Sequence, residues 1–118
     1  MADAAIFVGW GQIVRGREAK ALAVFNESVA YWTGLQQAGT IESFEPVILS
    51  AHGGDLAGFA LLRGDRAKLD ALKASDEFQR TTVRANFIVD NLGLIDAAIG
   101  ASLQTGLVSF AAQIGELS

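Results

Sequence analysis

The hydrophobic period changes several times along the chain, and each change marks an element. Ala5 to Val14 (AIFVGWGQIV) is an apolar run of strand length, rich in Ile, Phe, Val and Trp. From Arg17 to about Ala38, Leu22, Phe25, Val29, Trp32 and Leu35 recur at spacings of three and four, with Arg17, Lys20, Glu27 and Gln36 among the positions between them. This predicts an amphipathic helix with those five apolar residues facing inward, and Gly39 stands where a helix C-terminus favours glycine. Two further strand-like runs, Ile41 to Ala51 and Leu56 to Arg63, flank His52-Gly53-Gly54-Asp55. Gly-Gly suits a two-residue turn that needs positive φ, so a hairpin closed at Gly53-Gly54 is expected.

Gly64-Asp65 breaks the third strand, and Asp65 is placed to cap a helix begun by Leu69 and Leu72. Ser75-Asp76-Glu77 reads as a second cap that restarts it, with Phe78, Thr82, Ala85 and Val89 facing inward. Gly93 to Ile99 reads as the last strand, and Leu103, Leu107, Phe110 and Ile114 form a final helical stripe. The order is βαββαβ plus a C-terminal helix, which is the ferredoxin-like α+β arrangement. Its crossovers place both main helices on one face of a four-stranded antiparallel sheet. The expectation is a single domain over 1–118, with a core of about 5–100 and a helix of about 101–116.

A two-residue turn at Gly53-Gly54 pairs His52 with Asp55, Ile48 with Phe59 and Pro46 with Leu61. One sheet face then carries Phe44, Pro46, Ile48, His52, Asp55, Phe59, Leu61 and Arg63; the other carries Val47, Leu49, Leu56, Ala60 and Leu62. Both are apolar at their centres, and the first strand agrees, with Phe7 opposite to Ile6, Val8 and Trp10. A sheet with helices on one side normally leaves its second face polar, and soluble monomers seldom expose an apolar patch of that size. The economical cover is a second copy packed through the sheet face about a two-fold axis. The C-terminal helix folded over its own sheet is the alternative.

Composition narrows the function classes. With 118 residues, 51% of them hydrophobic, the chain supports one domain with a sizeable core. The absence of cysteine excludes a disulfide framework, a thiolate zinc site and a cysteine nucleophile. A single histidine excludes a multi-histidine metal site within one subunit, so neither metal nor cofactor is expected. A net charge of −4 argues against nucleic acid as a partner. Met1 to Ala5 lacks the basic start of a signal peptide, which makes a cytoplasmic location the default. No charge occurs from Ala97 to Gly115, a near-spanning length, but its amides, hydroxyls and glycines and its acidic flanks argue against a membrane span.

At this point the chain resembles the dimeric α+β barrel superfamily, which includes antibiotic-biosynthesis-type monooxygenases and YCII-related proteins. The resemblance covers about residues 5 to 100. It rests on the element order, on Gly39-Thr40-Ile41-Glu42-Ser43 before the second strand, and on Ser75-Asp76-Glu77-Phe78 within the second crossover. It implies two sheets face to face, with a pocket between each sheet and its helices. Functions on this fold range widely, so the fold selects no activity. The YCII-related group carries a histidine near the first helix and haem-degrading members carry an axial helical histidine; this chain has neither, its one histidine being His52.

Candidate chemistry is sparse. His52 and Asp55 flank the expected turn and would form an acid–base pair if hydrogen-bonded, the competing reading being a polar hairpin tip. Trp10 between Gly9 and Gly11 offers a face for ligand stacking, or glycines that admit close packing. Arg15, beside Arg17 at the entry to the first helix, suits an anion or a solvated surface. Asn26 and Tyr31 lie off the apolar stripe and are placed to line a pocket, while Phe59 and Arg63 sit on the sheet face, Arg63 as a partner for an acid across a dimer. The reading is a homodimer with a pocket for an apolar small molecule. It is either a cofactor-independent oxygenase- or isomerase-like enzyme, or a non-catalytic ligand-binding or regulatory module.

Overall fold

The computed structural model describes residues 2–118. The elements run β1 (Ala4–Trp10), α1 (Glu18–Gln37), β2 (Ser43–Ile48), β3 (Gly58–Gly64), α2 (Arg66–Lys73), α3 (Asp76–Asn86), β4 (Gly93–Ala98) and α4 (Gly100–Leu117). The four strands form one antiparallel sheet in the order β2-β3-β1-β4, the βαββαβ topology expected from the periodicity.

Local chemistry sets the breaks. The Asp65 carboxylate accepts from the Lys68 N–H at 3.2 Å and starts α2. The Ser75 hydroxyl accepts from the Phe78 N–H at 3.3 Å and starts α3, so the two caps split the second crossover into two helices. Gly39 adopts φ +79° just past the end of α1, where a side chain would be strained. Gly11 ends β1: a Cβ there would lie 2.8 Å from the Asp90 carbonyl oxygen, to which the Gly11 N–H donates at 2.7 Å. The expected strand to Val14 is therefore shorter, and its tail instead bridges Ile13 to Val89 beyond α3.

The hairpin register differs from the expected one. Phe44 pairs with Leu62, Val47 with Phe59 and Ile48 with Gly58, one residue out of step with a turn centred on Gly53-Gly54. The ladder hydrogen bonds continue to Leu49 and Ala57, leaving a loop wider than two residues. Because strand side chains alternate, a one-residue slip moves Phe59, Leu61 and Arg63 to the opposite face from Phe44, Pro46 and Ile48.

The helix-covered face thus carries Ile6, Val8 and Trp10 from β1 with Ala60 and Leu62 from β3, packed against Trp32, Leu69, Leu72 and Phe78. The open face carries Phe7, Val47, Phe59, Leu61 and Ile95, and the Phe7 and Phe59 rings stack at 5.0 Å. Both faces are apolar, as expected, although the membership from β3 is exchanged.

Two helices depart from their expected placement. On α1 the buried residues are Ala21, Val24, Ser28 and Trp32; of the expected stripe Val29 and Leu35 also pack against the core, whereas Leu22 is 62% exposed, so the inward stripe is rotated only in part from the expected one. On α4 no residue is buried, and its main contact is with β4. The C-terminal helix does not cover its own sheet. No helix among the described residues is long and apolar enough to cross a membrane.

Candidate functional site

The core is divided. One buried cluster centres on Ile6, Leu62, Leu69 and Phe78; a second consists of Ala21, Val24 and Ile88. Between them, under α1 and α3 and above the sheet, lies a cavity of about 380 Å³ lined by residues of both clusters. That volume suits a small organic ligand.

Its walls follow from the fold. Val8, Trp10 and Leu94 supply the sheet side, Ala21, Val24, Phe25, Ser28 and Trp32 supply α1, and Phe78, Thr81, Thr82 and Ala85 supply α3. Trp10 pairs with Gly58 across the ladder, and a Cβ on Gly58 would meet the indole Cζ2 at 2.7 Å. The absent side chain therefore lets the indole lie over β3, edge-on to Phe25 with centroids 6.1 Å apart. Both tryptophans of the chain line this space.

Polar groups on the wall are few. Ser28 is 6% exposed, and its hydroxyl has no hydrogen-bond partner among the described residues. The Thr81 and Thr82 hydroxyls donate backwards to the carbonyls of Glu77 and Phe78, at 3.0 and 2.8 Å. Glu18 lies at the rim. Hydrogen bonds from its own backbone N–H and that of Gly16 hold its carboxyl below the usual range, so the mouth carries a negative charge near neutrality.

The residues expected to carry chemistry are scattered. Trp10 alone among them lines the cavity. His52 Nε2 lies 2.7 Å from the Leu56 carbonyl oxygen and Nδ1 accepts from the Gly54 N–H at 3.2 Å. His52 therefore braces the loop, and its hydrogen bonds run to backbone instead of to Asp55. Asp55 is exposed in that loop. Arg15 and Asn26 are exposed and off the wall. Tyr31 is half-buried beside Lys68, Ser75 and Glu77 at the other end of α1, and burial raises its phenol pKa. Phe59 is on the open sheet face, and Arg63 pairs with Glu45 of its own chain at 3.5 Å. No cluster of His, Asp and Glu suited to a metal occurs among the described residues.

The residues missed were Ala21, Val24 and Ser28. They recur at spacings of three and four up to Trp32, one position away from the chosen stripe. The signal was present, but small residues and a serine weigh little in a hydrophobic pattern.

No family model and no curated protein sequence matches the chain. Solved structures do resemble it. A dimeric ferredoxin-like protein from Jannaschia sp. CCS1 aligns with a TM-score of 0.64 at 15% identity, over 81% of this chain and 99% of that one. A protein of the EthD family from Bacillus halodurans C-125 gives 0.63 at 13% identity, over 83% and 99%. SnoaB, a cofactor-independent oxygenase from Streptomyces nogalater, gives 0.53 at 16% identity, over 85% and 94%. At these identities the likeness speaks of architecture alone: the chain has a ferredoxin-like α+β fold.

Proposed function

We propose that the cavity between the sheet and helices α1 and α3 binds an uncharged, largely apolar small molecule carrying one hydrogen-bonding group. The observation that carries this reading is the divided core, in which an apolar space separates two packed clusters and is faced by the unpartnered Ser28 hydroxyl. A space left among close-packed side chains forfeits dispersion contacts, and an occupant restores them. The negative rim at Glu18 disfavours anions. The protein is read as a homodimer joined through the open sheet faces, supported by their apolar content and by dimeric structures of the same fold.

The test uses 2-naphthol, a neutral aromatic with one hydroxyl. Saturable quenching of tryptophan fluorescence is expected, because both reporters line the cavity. Filling the space with Ala85→Phe is expected to abolish it. Quenching unchanged in that variant would sink the assignment. The likeness to a cofactor-independent oxygenase favours a second reading, in which the bound molecule is itself oxidised. Oxygen uptake on adding ligand separates that reaction from binding alone.

A further inference from the structure

Helix α4 has eighteen residues, none of them buried. Five of its six large apolar residues, Leu103, Leu107, Phe110, Ile114 and Leu117, follow one another at spacings of four, three, four and three, and Val108, 70% exposed, stands outside that series. The five are 44%, 52%, 66%, 54% and 85% exposed. A four-three alternation is the seam of paired helices: it keeps one narrow stripe turned toward a partner helix, where a sheet-covering helix carries a broader apolar face.

We propose that α4 pairs with α4 of a second copy through this seam. Three observations favour that occupant. The positions beside the seam are Gln104, Gly106, Ala111 and Gln113, small or amide-bearing and without charge. Those flanking sites normally set partner choice by charge; here two identical seams meet without like-charge repulsion, in either direction. Next, the chain exposes 7438 Å², whereas a folded monomer of its 12.4 kDa mass exposes about 6,100 Å². The excess of about 1,300 Å² exceeds the roughly 800 Å² per partner of a standard interface. Finally, Gly106 and Gly115 lie within α4, each costing about 1 kcal/mol of helix propensity, so packing must hold the helix. A lipid surface is a poorer fit, since no Lys or Arg follows Arg84 and the charge on α4 is the acid Glu116.

The chain has no cysteine, so single cysteines report contacts cleanly. Phe110 is the midpoint of the seam and meets its own copy whether the helices run parallel or antiparallel. In the full-length protein, Phe110→Cys is expected to form an intermolecular disulfide under mild oxidation at least tenfold faster than Ala112→Cys, which lies on the opposite side of α4. Leu107→Asp in the Phe110→Cys background is expected to reduce the rate to that of the control. Circular dichroism checks that each variant stays folded, which exposed positions on α4 should permit. Equal rates at 110 and 112 overturn the proposal. So does a chain that is dimeric by light scattering yet fails to cross-link at 110, or one that co-sediments through α4 with phosphatidylcholine–phosphatidylserine vesicles. The 2-naphthol titration reads the cavity and is independent of each of these results.

Discussion

Ser28 shows how one side chain separates stability from recognition. Ser28 is largely buried on the cavity wall and its hydroxyl makes no hydrogen bond to the rest of the chain, so Ser28→Ala is expected to change folding stability by under about 1 kcal/mol. A ligand hydroxyl bonded to Ser28 would lose about that much on the same substitution, or roughly fivefold in affinity. Fluorescence titrations with 2-naphthol and naphthalene check this: the first should weaken in Ser28→Ala and the second should not. Equal weakening of both would assign Ser28 to packing. Asp96 makes a different residue-scale prediction. The ammonium of Lys73 at 2.5 Å, and then the Arg66 guanidinium at 3.2 Å, hold its carboxyl below the ordinary value of 3.8. A depressed carboxyl adds stability above the unfolded-state pKa, and that stability fades as pH falls through the folded-state value. Asp96→Asn should therefore lower the melting temperature at neutral pH, with the gap closing in acid; a gap independent of pH would contradict the ion pairing. Asp96 is exposed, so the neutral-pH effect is expected to be small.

Among the elements, those with a sequence-encoded stop chemistry were legible and those set by tertiary contact were not. Asp65, Ser75 and Gly39 marked three helix boundaries because a cap or a positive φ is a local demand that few residues meet. Ser75→Ala tests one: loss of the cap is expected to cost about 1 kcal/mol, measured by urea denaturation, and no change would mean that α2 and α3 are held apart by packing alone. The β2–β3 register was not legible. Gly53 does take positive φ, so the glycine signal for a turn was sound. The two ring nitrogens of His52 meanwhile brace a wider loop against Gly54 and Leu56, and the strands meet one residue out of step. That single residue put Ala60, in place of Phe59, on the face shared by Phe44 and Ile48. The rotation of α1 was lost for a related reason. Its inward face includes Ala21 and Ser28 because they border a space, and a hydrophobic pattern weighs large side chains above small ones.

At the scale of the whole molecule, the sheet separates two surfaces. The cavity lies against Val8 and Trp10, while Phe7 and Phe59 stack on the reverse side. Ligand binding and sheet-mediated association should therefore be separable by mutation. Glutamate at Phe59 places a charge in the proposed sheet interface without touching the cavity wall, so Phe59→Glu is expected to weaken association while 2-naphthol still quenches the tryptophans. Wild-type protein, if associated through exposed apolar surface, should melt at higher temperature as its concentration rises, because subunits bound to one another stabilise the folded state by mass action. That slope should decrease in Phe59→Glu and again in Leu107→Asp, and vanish when the two are combined. The combined variant distinguishes the surfaces: a slope removed entirely by Phe59→Glu alone would leave α4 without a role in assembly. One removed entirely by Leu107→Asp would mean that the open sheet face, despite its aromatic stack, is covered by something other than its own copy.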